Sequence, residues 1–460
     1  MSNIFKAYDI RGVYPEEINK ENAYKIGFAT VKFLQAKNPN KKLNFVVGED
    51  ARLASPTLRG AVIDALTKAG ANVYYIGQCT TPLFYFSVNK LKADGGIMAT
   101  ASHNPPQYGG LKIVGFESSP IGAESGLKEI EKMAQEVLEL AKDSGKVQEA
   151  NLVDDYVDFV IKDSKVGSNP GKLKIVIDAG NGMTSLVLKP LFEKLAIKPD
   201  QLYFDIDCSF PNHSPDILRA EALVDLQKRV IETRADLGIA FDGDGDRIIF
   251  IDKNGQTIRS HYILALLYLD QATWLKKPRV VYDTDFSKSV KELLGSHGFK
   301  SRRGHTFFKR MMREHDAEIG GEFSGHFFFK EMRYAESSML AMLRILNIVS
   351  KSKKTIGELI KPFQKYYHSG EINIPIDNRD KGDQIIKTLK EKYKDGKIDE
   401  LDGITVEYWD LLNLLGASWW FNLRLSNTEP IIRLVVEADT KDLMDQKVKE
   451  LTEEIKNAPQ

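Results

Sequence analysis

Four short polar stretches of this chain carry residue types that could act on one substrate together. The first is Thr100-Ala101-Ser102-His103-Asn104-Pro105-Pro106, which follows the β-like run Gly96-Ile97-Met98-Ala99. Asn-Pro-Pro can neither continue a strand nor start a helix in register, so it predicts a rigid turn with the Ser102 hydroxyl presented outward at its tip. With His103 beside it and Lys112 on the next β-like run, Gly110 to Val114, Ser102 is a candidate nucleophile. A turn serine that caps its own backbone is the plainer alternative. A serine hydrolase using Ser102 and His103 is disfavoured, because adjacent side chains on an extended chain point apart.

The second stretch is Asp242-Gly243-Asp244-Gly245-Asp246-Arg247, set between the apolar runs Ile239–Phe241 and Ile248–Ile251. Three carboxylates at alternate positions of one tight loop repel unless a cation sits among them, and the two glycines let the backbone curl so that all three converge. An EF-hand is excluded, since the sixth position holds Arg247 and the twelfth Lys253. A solvated acidic loop is the alternative. The third stretch, Gly321-Glu322-Phe323-Ser324-Gly325-His326, lies between two short β-like runs and predicts a hairpin tip that reaches into a cleft. The fourth, Arg424-Leu425-Ser426-Asn427-Thr428-Glu429-Pro430, joins two strands and offers guanidinium, hydroxyl and amide donors to one anion.

Elements that alternate between strand and helix must position these loops. Asn22 to Gln35 is amphipathic with a helical period, Leu43 to Val47 reads as a strand, Ser55 to Ala69 as a helix capped by Ser55, and Asn72 to Ile76 as a strand. The fold class is therefore α/β. A polar helix over 125–144 closes a first unit (1–150), and 165–172 leads into a second (151–255), where the strand Leu173 to Asp178 meets the Gly180-Asn181-Gly182 turn. A third unit (256–368) carries the helix Tyr262 to Trp274 and the strand Arg279 to Asp283; the fourth (369–460) mixes the strands Glu371 to Ile376 and Ile404 to Trp409 with the helix Lys381 to Tyr393. A length of 460 residues with 42% hydrophobic content suits three or four packed units. Basic and acidic residues balance at 64 each, so no global field draws the chain to nucleic acid or an anionic membrane. The two cysteines, Cys79 and Cys208, have no metal-ligand spacing and read as buried thiols in a reducing compartment. No apolar run reaches membrane-spanning length and the N-terminus lacks a signal-peptide core, which makes a soluble cytoplasmic protein the expectation.

In order and type, these four stretches resemble the phosphoserine, magnesium, sugar and phosphate loops of the α-D-phosphohexomutase family, in particular the bacterial phosphomannomutase/phosphoglucomutases. Tyr8-Asp9-Ile10-Arg11-Gly12 resembles the segment that lines the family's cleft floor, and Gly304-His305-Thr306 a further sugar-contacting site. The resemblance implies three related α/β domains plus a smaller α+β C-terminal domain around a central cleft. It implies interconversion of hexose 1-phosphate and hexose 6-phosphate, of mannose or glucose, through phospho-Ser102 and a hexose 1,6-bisphosphate intermediate or activator. Mg²⁺ would be bound by Asp242, Asp244, Asp246 and the phosphate on Ser102. Ser102, His103, Lys112, Arg11 and His326 form the implied catalytic set, with His326 or Lys112 as general base. Tyr8, Arg247, His305, Glu322, Ser324, Arg424, Ser426, Asn427, Thr428 and Arg433 form the substrate-binding set, and the fourth domain is expected to swing closed over bound sugar phosphate. Partners are small sugar phosphates, with no nucleic acid or membrane, for a monomer or weak homodimer. A phosphoglucosamine mutase is the alternative, and after it a non-catalytic sugar-phosphate binder. Asp285 departs from the pattern: some relatives carry lysine there, and Lys288, Arg302 or Arg303 are the candidates to compensate.

Overall fold

The computed structural model describes residues 2–136, 145–167, 172–409, 418–426 and 430–457. Four sheets follow one another along the chain. In the first, the strand order is Ile10–Val13, Tyr108–Val114, Gly95–Ala99, Asn44–Glu49, Asn72–Gln78 and Val147–Glu149. Its middle is parallel, and Tyr108–Val114 runs antiparallel to both of its neighbours. The second and third sheets share a plan: parallel strands at one side and an antiparallel hairpin at the other. Leu237–Phe241 and Ile248–Asp252 form the hairpin of the second, Ile319–Gly321 and Phe327–Phe329 that of the third. The fourth sheet is antiparallel throughout and is backed by the helices Arg379–Lys392 and Lys441–Lys456. The fold is the expected one of three α/β units and a smaller mixed unit. Thr257–Ile258 pairs with the second sheet and Tyr367–His368 with the fourth.

The elements form where side-chain chemistry allows. The strands Gly95–Ala99, Ile175–Asp178 and Leu237–Phe241 are buried along their whole length, which suits uninterrupted apolar runs between two layers of helices. Helix starts are capped by short polar side chains: Asn19 accepts from Asn22 N, Thr80 from Leu83 N and Ser337 from Leu340 N. Ser55 departs from expectation. It is the first residue of the helix Ser55–Lys68 rather than its cap, because its hydroxyl donates to Asp50 Oδ1 at 2.5 Å. The expected helix over 125–144 is also different. A wide turn, Ala123–Leu127, precedes the helix Lys128–Gln135, since Gly126 takes φ 127° and breaks the helical path; residues 137–144 lie outside the described residues, as do 168–171 of the expected junction.

One apolar cluster runs continuously through the first three units, from Val46 and Phe84 through Val157 and Leu188 to Leu264, Leu343 and Leu346. The helix Ser338–Lys351 buries eleven residues in it and Val153–Ser164 packs alongside. The fourth unit closes a separate core around Phe421, Leu434 and Leu451. Among the described residues no helix is long and apolar enough to cross a membrane. Both cysteines are buried and free.

Gly110 sits in the strand Tyr108–Val114 where two backbones close in. A Cβ there would lie 2.5 Å from the Ile10 carbonyl oxygen and 2.6 Å from that of Thr100. Gly110→Ala should therefore cost roughly 1–3 kcal/mol by forcing the serine loop and the Arg11 strand apart. A denaturant midpoint equal to wild type would show that this spacing is not under constraint.

Candidate active site

The serine loop is built from the backbone outward. Thr100 N donates to Gly110 O, Ser102 N to Thr100 Oγ1 at 2.9 Å, and Asn104 N to Ala101 O at 3.0 Å. These bonds hold Ser102 in the left-handed region at φ 52°. Two expectations change in consequence. Ser102 is 2% exposed, so its hydroxyl is not presented outward. The chain is not extended there either, and Ser102 Oγ meets His103 Nδ1 at 3.1 Å. Arg52, fully buried, clamps the loop from beneath: Nη2 donates to the carbonyls of Ser102 and Asn104 at 2.6 Å and Nη1 to that of Pro105 at 2.8 Å. On the other side Arg11 is held bidentately by Asp9 and donates to Asn104 Oδ1 at 2.5 Å.

The acidic turn faces this loop. Gly243 lies so close to Ser102 that an added Cβ would be 3.0 Å from the Ser102 carbonyl oxygen. Asp242, Asp244 and Asp246 are buried, and one oxygen from each falls within 4.8 Å of the others. Lys112 Nζ bridges Asp244 Oδ2 at 2.7 Å and Asp246 Oδ2 at 2.6 Å, while Thr81 Oγ1 donates to Asp244 Oδ2 at 2.5 Å. Burial works against the Lys112 charge, but Asp244 and Asp246 outweigh it and hold the ammonium protonated well above the ordinary lysine range. Burial together with the charges of Asp246 and Asp244 pushes Asp242 well up; Asp246 is held well down, against its burial, by Lys112 and His326. Three oxygens make no hydrogen bond: Asp242 Oδ2, Asp244 Oδ1 and Asp246 Oδ1, the last standing 3.2 Å from His326 Nε2 at a poor angle. Three buried carboxylates that gather one oxygen each within 4.8 Å, and that each keep an oxygen without a hydrogen bond, fit a hard divalent cation with oxygen ligands.

The hairpin tips of the second and third units are stitched together. Arg247 and His326 form an isolated antiparallel bridge, and Ile248 N donates to Gly325 O at 3.1 Å. Within the third tip, Glu322 Oε2 and Ser324 Oγ approach His326 Nδ1 at 3.0 and 2.8 Å, and Gly304 N donates to Glu322 Oε1 at 3.0 Å. Burial disfavours a charged His326, yet Asp246 and Glu322 raise it to about 10, so it is an imidazolium at neutral pH. His103 and His305 are driven the opposite way, first by burial and then by neighbouring cations, and are neutral. Tyr8 donates to the Arg303 carbonyl at 3.0 Å and packs edge-on against His305.

A second charged cluster joins the third and fourth units. Arg303 donates from Nη2 to Asp285 Oδ2 at 2.5 Å, from Nε to Asp283 Oδ2 at 3.2 Å, and from Nη1 to Glu371. Arg424 Nη2 reaches Glu371 Oε2 at 2.9 Å, Arg433 Nη1 lies 3.3 Å from Glu371 Oε1, and Arg433 Nη2 is 3.5 Å from Ser426 Oγ. Arg303 is thus the basic group that accompanies Asp285. Lys288 lies over the Trp409 ring and Arg302 pairs with Glu124. Asn427 and Thr428, expected in this loop, lie outside the described residues. Burial pushes the Asp285 carboxyl up to about 6 against the pull of Arg303. Glu371, also opposed by burial, is held down at about 2 by Arg303, Arg424 and Arg433.

Sequence reasoning missed Arg52, Thr81 and Glu371. Only Arg52 left a trace, in the Asp50-Ala51-Arg52 run at the end of a strand; the other two are joined to the site by contacts between distant parts of the chain.

Fold and site together define a four-unit α/β enzyme that gathers a serine, an acidic triad and two basic clusters from every part of its chain. Models of the four phosphoglucomutase/phosphomannomutase domains match in sequence: α/β/α domain I over residues 2–140, domain II over 154–255, domain III over 259–366 and the C-terminal domain over 371–454. A phosphomannomutase from Methanocaldococcus jannaschii is 39% identical over 99% of this chain and 97% of its own, and one from Escherichia coli 36% identical over 94% of each. A phosphoglucomutase/phosphomannomutase family protein of solved structure from Burkholderia thailandensis superposes with a TM-score of 0.86 at 29% identity, covering 100% of this chain and 99% of that one. The chain belongs to the phosphoglucomutase/phosphomannomutase family.

Two outcomes follow from the charges. Mg²⁺ should raise the thermal midpoint of the wild type, and Asp244→Asn should weaken that effect by about tenfold in Mg²⁺ concentration, because one hard ligand is lost; a variant responding like wild type would remove Asp244 from the cation site. Glu371 has its carboxyl depressed from 4.5 to about 2, so its stabilisation is fully present above about pH 4.5 and is lost as pH falls towards 2. Glu371→Gln should cost roughly 3 kcal/mol at neutral pH, and the gap to wild type should shrink on acidification below that point. A gap independent of pH would mean that the carboxylate charge contributes nothing.

Proposed function

We propose that this chain interconverts the 1- and 6-phosphates of a hexose, mannose or glucose, by phosphoryl transfer through Ser102. The observation that carries the reading is the meeting of Ser102 with the acidic turn, at the Gly243–Ser102 contact, beside Lys112, Arg11 and His326. Phosphoryl transfer is catalysed mainly by positioning and charge neutralisation, and a serine ringed by cations and a cation-binding triad supplies both. The relatives named phosphomannomutase support the choice of sugar.

On this reading the free hydroxyl of a bound hexose monophosphate attacks the phosphorus of phospho-Ser102. Ser102 Oγ leaves, and the resulting 1,6-bisphosphate turns over to present its other phosphate. Asp242, Asp244 and Asp246 would hold Mg²⁺, with the serine phosphate as a further ligand, and the ion supplies charge neutralisation at the transferring oxygens. Lys112, ion-paired on two carboxylates, stays charged. His326 carries a proton that it can give to the leaving Ser102 Oγ while taking up the proton of the attacking hydroxyl, so that each transfer returns it to the charged form. His103, neutral and 3.1 Å from Ser102 Oγ, orients the hydroxyl of the dephosphorylated serine. Glu322 and Ser324, now turned to His326, would exchange that contact for sugar hydroxyls, with Tyr8, Arg247 and His305 lining the same space. Arg424, Ser426 and Arg433, with Asn427 and Thr428, would hold the phosphate that is not reacting. Sugar phosphates are its partners on this reading, for a cytoplasmic monomer or weak homodimer.

Ser102→Ala should lower turnover by orders of magnitude and abolish the one-phosphoryl mass increase of the protein after incubation with hexose 1,6-bisphosphate. Full turnover by that variant would falsify the reading. Arg424→Ala should weaken glucose 1-phosphate and glucose 6-phosphate alike, each by roughly tenfold or more, because a charge-assisted hydrogen bond is lost in both orientations. Loss of affinity for one substrate alone would rule out a single phosphate site visited in turn.

A further inference from the structure

Arg424 and Arg433 stand directly opposite one another in the antiparallel pair Trp419–Leu425 and Ile431–Ala438. Like charges in that position repel, and a third guanidinium, Arg303, comes to the same place from the third unit. One carboxylate joins all three. Glu371 Oε2 accepts from Arg303 Nη1 and from Arg424 Nη2 at 2.9 Å, while Oε1 lies 3.3 Å from Arg433 Nη1. The backbone fixes it there: Glu371 immediately precedes the strand Ile372–Pro375, whose first two residues pair with Leu434 and Arg433. A carboxylate that spans guanidinium groups with both oxygens makes the contacts that two phosphate oxygens would make.

Charge balance sets the two anions in competition. Arg303 already faces Asp283 and Asp285, and Arg424 faces Asp285 and Asp402. Glu371 adds a further negative charge beside these carboxylates. A phosphate monoester brings about −1.5 to −2 more at neutral pH, into a place where Arg424 is 3% exposed. Arg424 Nε is buried and makes no hydrogen bond, standing 3.7 Å from Asp285 Oδ2 and 4.0 Å from Asp402 Oδ2.

We propose that Glu371 is the resident anion of the phosphate-binding arginines: it holds them together in the empty enzyme and gives up its place to the non-reacting phosphate of the substrate. That the phosphate belongs to a hexose rests on the phosphoryl-transfer reading above; the exchange of one anion for another rests on the arginines alone. A resident carboxylate keeps the grip on phosphate reversible, because it stands ready to retake the guanidinium groups each time the phosphate leaves. It thereby acts as a positioning residue for binding and a competitor that speeds release.

Inorganic phosphate is the probe, titrated calorimetrically into the full chain and into Glu371→Gln, which keeps the side-chain shape and removes the charge. The variant should bind phosphate about tenfold more tightly, gain more in thermal midpoint from it, and show a lower KM with a lower kcat because release slows. A carboxylate with a purely structural role gives the reverse, since arginines that drift apart bind phosphate more weakly; that result, or equal affinities, overturns the proposal. Glu371→Asp keeps the charge but draws it back by one methylene. It should fall between the two, and it carries the comparison if Glu371→Gln does not fold, an affinity at or below wild type again counting against the proposal. Because the titration needs no turnover, a chain without mutase activity whose Glu371→Gln variant still binds phosphate more tightly would overturn the catalytic reading and uphold this one. An active mutase with equal phosphate affinities would do the opposite.

Discussion

Three carboxylates buried in a single hairpin turn cannot all stay ionised unless positive charge is brought to them, and much of the site's arrangement answers that demand. The second unit supplies the acids and one cation, Arg247; the first sends Lys112 across to bridge Asp244 and Asp246; the third sends His326 to Asp246. Each cation stands on a different unit, so satisfying the acids also fixes how the three units meet. The Arg247–His326 bridge and the Thr81–Asp244 bond draw the same loops together through backbone and hydroxyl groups. Charge compensation and assembly of the reactive centre are here one event.

The second cluster works on a different balance. Arg303, Arg424 and Arg433 converge on one carboxylate, where the acidic triad draws its cations from three units. One centre suits a metal and the transferring group, and the other suits a phosphate that must be held and released. The place of Asp285 becomes intelligible in this setting. Asp285 and Asp283 hold Arg303 at Nη2 and Nε, which leaves Nη1 to reach Glu371 of the fourth unit.

How far the sequence could be read followed from how local each signal was. Asp242 to Asp246, Glu322 to His326 and Ser102 with His103 lie in contiguous turns, so residue type and spacing exposed them without any knowledge of the fold. The alternation of strands and helices was equally local and gave the layer architecture. The conformation of Ser102 was not legible, because its left-handed backbone depends on Arg52 gripping the carbonyls of the turn from another loop. Glu371 looked like the first residue of a strand, and its role arises only when three arginines from separate elements converge on it. The helix over 125–144 was misjudged because helical composition continues through Gly126, whose backbone does not.

The division of the apolar interior has a consequence for how the molecule comes apart. One apolar cluster runs through the first three units, beside separate ones such as that of Ile10, Phe45 and Leu111 in the first, whereas the fourth closes a core of its own. The arginines that meet Glu371 lie along the seam between the third and fourth units. The seam is stitched with ion pairs and hydrogen bonds such as Lys288 N to Glu437. Opening it breaks charge contacts that water can replace and uncovers Trp420, which is buried against Lys291 and His368. The boundary between the third and fourth units thus combines polar contacts, which water can take over, with one buried aromatic ring, which it cannot.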